Sequence, residues 1–479
     1  MARSFYWHDY ETWGADPRRD RPAQFAGVRT DEALELVSEP LVLYCRPADD
    51  MLPQPEACLV TGITPQRALA EGICEAEFTA RVHAELARPG TCGTGYNSIR
   101  FDDEVTRHSL YRNFFDPYAR EWQNGNSRWD LIDSVRLTHA LRPQGIVWPE
   151  RAPGVTSFRL EDLSAANGIA HESAHDALSD VYATLELARL LRRRQPRLFD
   201  YALSLRDKRR VAELLDLRQR RLVLHVSEKF PAELGCIAPV LPLARYPGNK
   251  NGIVVYDLRQ DPAALLELDA ETLHARVFTP VAELPQGQER LRLKTVHVNR
   301  CPVLAPTGTL TGEAAERWQI DLHRAERHAE TLRANMALVE EKVRTVHSMK
   351  RFPTETDPDR MLYGGGFFGD ADRRVMARLR EMAPADLGTA PLTFEDERLP
   401  EMLFRYRGRN WPQTLSEPER SAWDSYRRRR LSDPAGGASL GLAEYRQRLA
   451  QLRGECADDR DKRALLDELE AWGDRLETW

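Results

Sequence analysis

No stretch of the chain approaches 18 consecutive apolar residues, so no segment has the length and composition of a membrane-crossing helix. Nor do the first residues form a charged then apolar leader with a small-residue cleavage site, and the expected location is the cytoplasm, with no membrane partner. Cysteine is sparse and scattered: seven in 479 residues, at Cys45, Cys58, Cys74, Cys92, Cys236, Cys301 and Cys456, with no C-x-x-C pair. An odd, dispersed set reads as reduced thiols, neither a disulfide framework nor a zinc site. Positive charge is not in excess, since 68 Lys and Arg face 74 Asp and Glu for a net −6. That deficit does not exclude a polyanionic partner, because phosphate binding needs only a local positive path. Basic runs do occur at Arg192–Arg194, Arg206–Arg210, Arg218–Arg221 and Arg427–Arg430, although most such runs are solvated helix faces. Internal repeats and extended low-complexity segments are absent as well, and 479 residues are enough for two or three domains.

What is present centres on His8-Asp9-Tyr10-Glu11-Thr12-Trp13-Gly14, which follows the apolar run Phe5-Tyr6-Trp7. A short aromatic run ended by turn formers reads as a buried β-strand, with Asp9 and Glu11 at its C-terminal end. Strand side chains alternate with period two, so two carboxylates at i and i+2 project to one side and can grip the same cations. Such hard oxygen ligands suit magnesium or manganese better than zinc. An isolated D-x-E is more often a charged strand end. Partners do follow, however. Asn97-Ser98-Ile99-Arg100-Phe101-Asp102 places a third carboxylate where the strand-like run Thr91–Tyr96 gives way to a helical pattern, so Asp102 caps or begins a helix. Farther on, His175-Asp176-Ala177-Leu178-Ser179-Asp180 opens a long helical pattern, in which five residues turn about 140° and let His175 and Asp180 border one cleft.

The ordered set D-x-E, N-x-x-x-F-D and H-x-x-x-x-D resembles the three exonuclease motifs of the DEDDh superfamily of 3′→5′ exonucleases. The segments HDYETWG, DRPAQFAGVRTD, GYNSIRFDDEVTRHSLYRNFFDPY, NSRWDLIDSVR and SAHDALSDVYAT are similar to the bacterial exodeoxyribonuclease I family within it. The resemblance implies an α/β ribonuclease H-like exonuclease domain over 1–195, an SH3-like β-rich domain over 196–350 and an α-helical C-terminal domain over 351–479. The residue pattern agrees in outline. Strands at Phe25–Thr30 and Leu41–Cys45 continue an antiparallel meander, and Thr64-Pro65 is a helix start with Thr64 as N-cap. Helical patterns follow at about 75–87, 103–115, 129–141 and 158–167 before the His175 helix. Beyond Gln195-Pro196, Leu222–Val226, Ile237–Leu243, Gly252–Leu258 and Arg292–Val298 are short β-rich runs, as in a small barrel with inserted helices. Apolar positions at helical spacing mark 442–453 and 462–476.

Phosphodiester hydrolysis needs an aligned nucleophile and positive charge where negative charge gathers, and two cations about 3.5–4 Å apart meet both needs. By resemblance Asp9, Glu11 and Asp180 are direct ligands of two Mg2+ ions, with Mn2+ as a substitute, and Asp102 completes the acidic set partly through water. His175 is then the general base, a role suited to a side chain that titrates near neutrality. The expected reaction is stepwise release of 5′-mononucleotides from the 3′ end of single-stranded DNA, processively, in repair and recombination. Glu11 also belongs to the expected substrate contacts. Arg159 matches a substrate-contacting arginine of the family, although an ion pair with Glu161 or Asp162 explains it equally from sequence. Arg107, Trp122 and Arg142 are further candidates for contacting the strand, Trp122 because aromatic faces stack on unpaired bases without reading sequence. Tyr363-Gly364-Gly365-Gly366-Phe367-Phe368 either touches DNA or forms a turn between helices. The resemblance also implies a monomer that contacts the acidic tail of single-stranded DNA-binding protein. Two other readings stay open: a DEDDh exonuclease acting on RNA, and a catalytically silent adaptor that binds single strands.

Overall fold

The computed structural model describes residues 3–171, 176–350, 354–433 and 436–478. They form two compact units. The first joins the N-terminal 127 residues with the short stretch 171–182 and with everything from 354 onward. The second holds residues 128–170 and 183–353.

In the first unit β1 (Ser4–Thr12) is central, flanked by β2 (Pro22–Thr30) and β4 (Thr91–Gly95), with β3 (Leu41–Tyr44) outside β2. The β1–β2 and β2–β3 pairs are antiparallel, and β1–β4 is parallel. Tyr6, Trp7, Phe25 and Val28 are fully buried, which explains the near-continuous apolar run: β1 is covered on both faces. Between β3 and β4 lie α1 (Pro55–Thr61), α2 (Pro65–Glu71) and α3 (Glu75–Leu86). As expected, Thr64 caps α2, its hydroxyl accepting from the Arg67 N–H at 3.2 Å, with Pro65 at the first helical position. After β4, helix α4 (Asp102–Arg112) begins.

The helices beyond residue 354 share a core with these N-terminal elements. Trp13, Leu52, Cys58 and Ile63 pack with Tyr445, Leu466, Leu469 and Trp472 from helices Leu442–Glu455 and Arg460–Glu477. A second contact cluster sets Tyr111 and Phe114 against Met376, Leu399, Met402 and Tyr406. Charge crosses the same boundary: Arg21 donates to both Asp50 oxygens (2.7 and 2.8 Å), Arg409 bridges Asp50 (3.0 Å) and Asp359 (2.5 Å), and Arg405 reaches Asp359 and Asp357.

In the second unit a five-stranded antiparallel sheet runs in the order Leu293–His297, Gly252–Asp257, Ile237–Arg245, Val223–Val226, Val303–Pro306. Leu241, Leu243, Val254 and Tyr256 face helices Leu322–Ala334 and Met336–Ser348, while Val240, Ile253 and Val255 face Leu205, Val211 and Leu215. No helix among the described residues is long and apolar enough to cross a membrane.

Candidate metal centre

Strand β1 presents Asp9 and Glu11 on one side, and the chain returns twice to the same place. After β4 the turn is tight: a Cβ on Gly95 would meet the His8 carbonyl oxygen at 2.6 Å, and Asn97 takes φ +62°. This close approach sets Asp102 at the first position of α4, where a carboxylate also favours the helix dipole. Past Trp7 the β1 edge no longer pairs with β4, and the Tyr10 N–H donates instead to Asp102 Oδ1 at 3.1 Å. The second return is made by the helix Ala177–Arg194. Gln24 sits opposite Glu11 on β2, and its Oε1 accepts from the Ala177 N–H at 3.3 Å, pinning the start of that helix to the sheet. Asp180 follows within the first turn.

Asp9, Glu11 and Asp180 each offer a carboxylate oxygen, and these oxygens lie within 4.8 Å of one another. Burial, then Asp102, Glu11 and Asp180, push the Asp9 carboxyl well above the usual carboxylate range. Glu11 is pushed up to about 9 by burial first and by Asp180 and Asp102 after it. The charges that weigh on both groups are other carboxylates, so the cluster repels itself. A divalent cation removes that repulsion, and hard oxygen donors are the set that Mg2+, Mn2+ or Ca2+ takes. The residues present fit such an ion.

His175 lies outside the described residues. The neighbouring His171 was not anticipated: its Nε2 lies 2.5 Å from Asp180 Oδ1. The only sequence signal for it was a second histidine four residues before His175, with no motif to distinguish it. Arg107 is buried and committed, donating through Nε and Nη2 to Glu121 (2.7 and 2.9 Å) and through Nη1 to Glu104 (2.8 Å). Trp122, in contrast, is 65% exposed. Arg159 and Arg142 belong to the second unit. Arg159 is exposed just before helix Leu160–Ala166, and Asp162 is bound instead by the Ser157 hydroxyl (2.5 Å). Arg142 donates to the carbonyls of Leu141 and Thr309.

Three family models match the chain consecutively: Exonuclease over residues 6–188, the Exonuclease I SH3-like domain over 206–349 and the Exonuclease I C-terminal domain over 356–476. Exodeoxyribonuclease I of Escherichia coli K12 is 46% identical over 473 residues, spanning 99% of this chain and 98% of that protein. The chain belongs to the exonuclease I family. Among solved members, Exonuclease I from Methylocaldum szegediense is 53% identical with a TM-score of 0.95 over 99% of this chain and all of that one. The zinc-bound form of an E. coli Exonuclease I complex with single-stranded DNA superposes with a TM-score of 0.94 at 45% identity, over 99% of this chain and 100% of that one. Family membership agrees with the expected order of an exonuclease domain, an SH3-like domain and a helical C-terminal domain.

Proposed function

We propose that this exonuclease I family member hydrolyses single-stranded DNA from the 3′ end, releasing 5′-mononucleotides, with Asp9, Glu11 and Asp180 holding divalent cations. The observation that carries the reading is the self-repelling carboxylate cluster on β1 and the Ala177–Arg194 helix, in a chain aligned end to end with exodeoxyribonucleases. Bound Mg2+, or Mn2+ in its place, supplies the positive charge that offsets negative charge gathering on the scissile phosphate. Asp102 anchors the Tyr10 backbone and completes the acidic set. His175 takes the proton from the attacking water, whose oxygen bonds to phosphorus as the bond to the 3′ oxygen breaks. His171 orients the Asp180 carboxylate through its hydrogen bond.

Arg159, Trp122 and Arg142 contact the strand in this reading, and Glu11 contacts its terminal nucleotide. Arg107 serves by holding Glu104 and Glu121 in place. Domain limits of 1–195, 196–350 and 351–479 are supported by the three consecutive family matches. The protein acts processively as a monomer in the cytoplasm, where its seven cysteines, none of them in a disulfide, stay reduced. The partner is the acidic tail of single-stranded DNA-binding protein. A cavity of about 450 Å³ in the second unit has the required character, with Arg142 and Arg197 beside Leu141, Leu198 and Tyr201.

The test is a gel assay with Mg2+ on 5′-labelled single-stranded DNA, duplex DNA and RNA of one sequence. A ladder shortening from the 3′ end on single-stranded DNA alone is expected. Preference for RNA would overturn the substrate, and no cleavage of any strand would overturn the enzyme.

A further inference from the structure

His171 stands nine residues before Asp180 and has no place in the H-x-x-x-x-D pattern, yet its Nε2 lies 2.5 Å from Asp180 Oδ1. A carboxylate that ligates a cation offers acceptors only, so the ring N–H is the donor. The His171 side chain is 7% exposed, which shields the bond from competing water and strengthens it.

The main chain at Asp180 is fixed independently. Asp176 stands just before helix Ala177–Arg194; its Oδ1 accepts from the Ser179 N–H at 3.1 Å and its carbonyl accepts from the Asp180 N–H at 3.0 Å. Gln24 ties the Ala177 N–H to β2. With the backbone held, what is left to set at Asp180 is the turn of its carboxylate, and His171 sets it by engaging Oδ1. The ring acts on a ligand and not as one. Among the described residues, the ligand atoms that lie within 4.8 Å of one another are carboxylate oxygens of Asp9, Glu11 and Asp180, and no His171 nitrogen joins them. Partners that orient a ligating group in this way govern metal affinity strongly.

Cations differ in how they use a carboxylate. Ca2+ gathers about six to eight oxygens in a flexible arrangement and takes carboxylates through one oxygen or both, whereas Mg2+ demands a near-ideal octahedron and keeps several waters. Three carboxylates approach the number that Ca2+ wants only by binding through both oxygens. An oxygen shared with a ring N–H is a weaker second donor, so Asp180 is restricted to ligation through one oxygen, the mode that an octahedral ion uses. We propose that His171 is a positioning residue that sets cation choice: its hold on Asp180 Oδ1 favours Mg2+ and Mn2+ over Ca2+. The inference rests on the reading of Asp9, Glu11 and Asp180 as metal ligands given above. What the bias gains is charge density, since Mg2+ sits about 0.3–0.5 Å closer to its oxygens than Ca2+ does.

The test measures Mn2+ binding to the full chain by loss of the free-ion EPR signal, then displaces the ion with Mg2+ and, separately, with Ca2+. His171→Ala and His171→Phe remove the N–H, and His171→Gln supplies an amide N–H. Both donor-free variants should bind Mn2+ and Mg2+ about tenfold more weakly and Ca2+ only about twofold more weakly, raising the ratio of Ca2+ to Mg2+ affinity about fivefold. His171→Gln should return the ratio toward that of wild type. During turnover of single-stranded DNA with Mg2+, added Ca2+ should inhibit the donor-free variants at correspondingly lower concentration. A histidine with a structural role alone would weaken all three cations alike. An unchanged ratio in a folded donor-free variant therefore overturns the inference, with His171→Phe, which keeps a ring in place, serving if His171→Ala does not fold. Loss of Zn2+ binding with an unchanged ratio overturns it too, because the ring would then be a ligand. A wild type that binds no Mn2+ overturns the metal reading itself.

Discussion

Asp50→Asn tests whether buried charge holds the C-terminal helices to the N-terminal sheet. Asp50 is fully buried and receives Arg21 on both oxygens, Arg409 on one, and Arg430 close by at 3.7 Å. Burial alone would raise its pKa, but Arg21 and Arg409 outweigh it and hold the carboxyl well below the usual range. The substitution keeps the shape and removes the charge. Arg409 would retain Asp359, whereas Arg21 would be left with the Glu75 carboxylate at 3.8 Å. Stranding a buried guanidinium costs about 3–5 kcal/mol. For a unit of this size each 1 kcal/mol shifts the midpoint by about 2–4 °C. Thermal unfolding followed by circular dichroism should therefore show the first transition lowered by about 6 °C or more. Because the ion pairs join Arg21 and Asp50 to Asp359 and Arg409, proteolysis should also reach the segment beyond 354 sooner. A midpoint within 1 °C of wild type, on the ~0.5 kcal/mol scale of an ordinary surface substitution, would refute the argument.

Asp180→Asn should reduce turnover of single-stranded DNA at least about 100-fold while leaving single-strand affinity within a few fold; near-normal rates would remove Asp180 from the chemistry. Mg2+ should raise the thermal midpoint of the wild type in a concentration-dependent way and leave that of Asp180→Asn nearly fixed, as scanning calorimetry can check. His108 is pushed down to about 3 by burial and then by Arg112, Arg18 and Arg107, so the fold favours its neutral form. That contribution is complete above pH ~6.5 and lost as pH falls toward 3, amounting to at most a few kcal/mol. His108→Gln should therefore flatten the acid limb of stability against pH, and an unchanged limb would count against it. Gly95→Ala presses a Cβ onto the His8 carbonyl and should lower activity more than it lowers the thermal midpoint.

Much of the site was legible because its residues sit where local rules apply. The i, i+2 carboxylates follow from strand alternation, and Asp102 and Asp180 fall in first helical turns, where acids are favoured. The β1 strand, the Thr64 cap and the terminal helices were likewise readable from period and punctuation. Contacts across hundreds of residues were not. Nothing local tells that Asp50 meets Arg409, or that Arg107, which looks like a free phosphate ligand in sequence, spends its donors on Glu104, Glu121 and Tyr363. Strand Val303–Pro306 escaped notice because Pro302 and Pro306 bracket it, and it pairs with Val223–Val226 some 80 residues back. His171 escaped for the same reason: its meaning lies in the Asp180 oxygen it touches.

The most direct test of the metal centre is equilibrium binding of Mn2+ to the full chain, followed by the loss of its free-ion EPR signal. The account predicts saturable binding in the wild type, weakened at least about tenfold in Asp9→Asn, Glu11→Gln and Asp180→Asn alike, and competed by Mg2+. Undiminished binding in all three variants would contradict it.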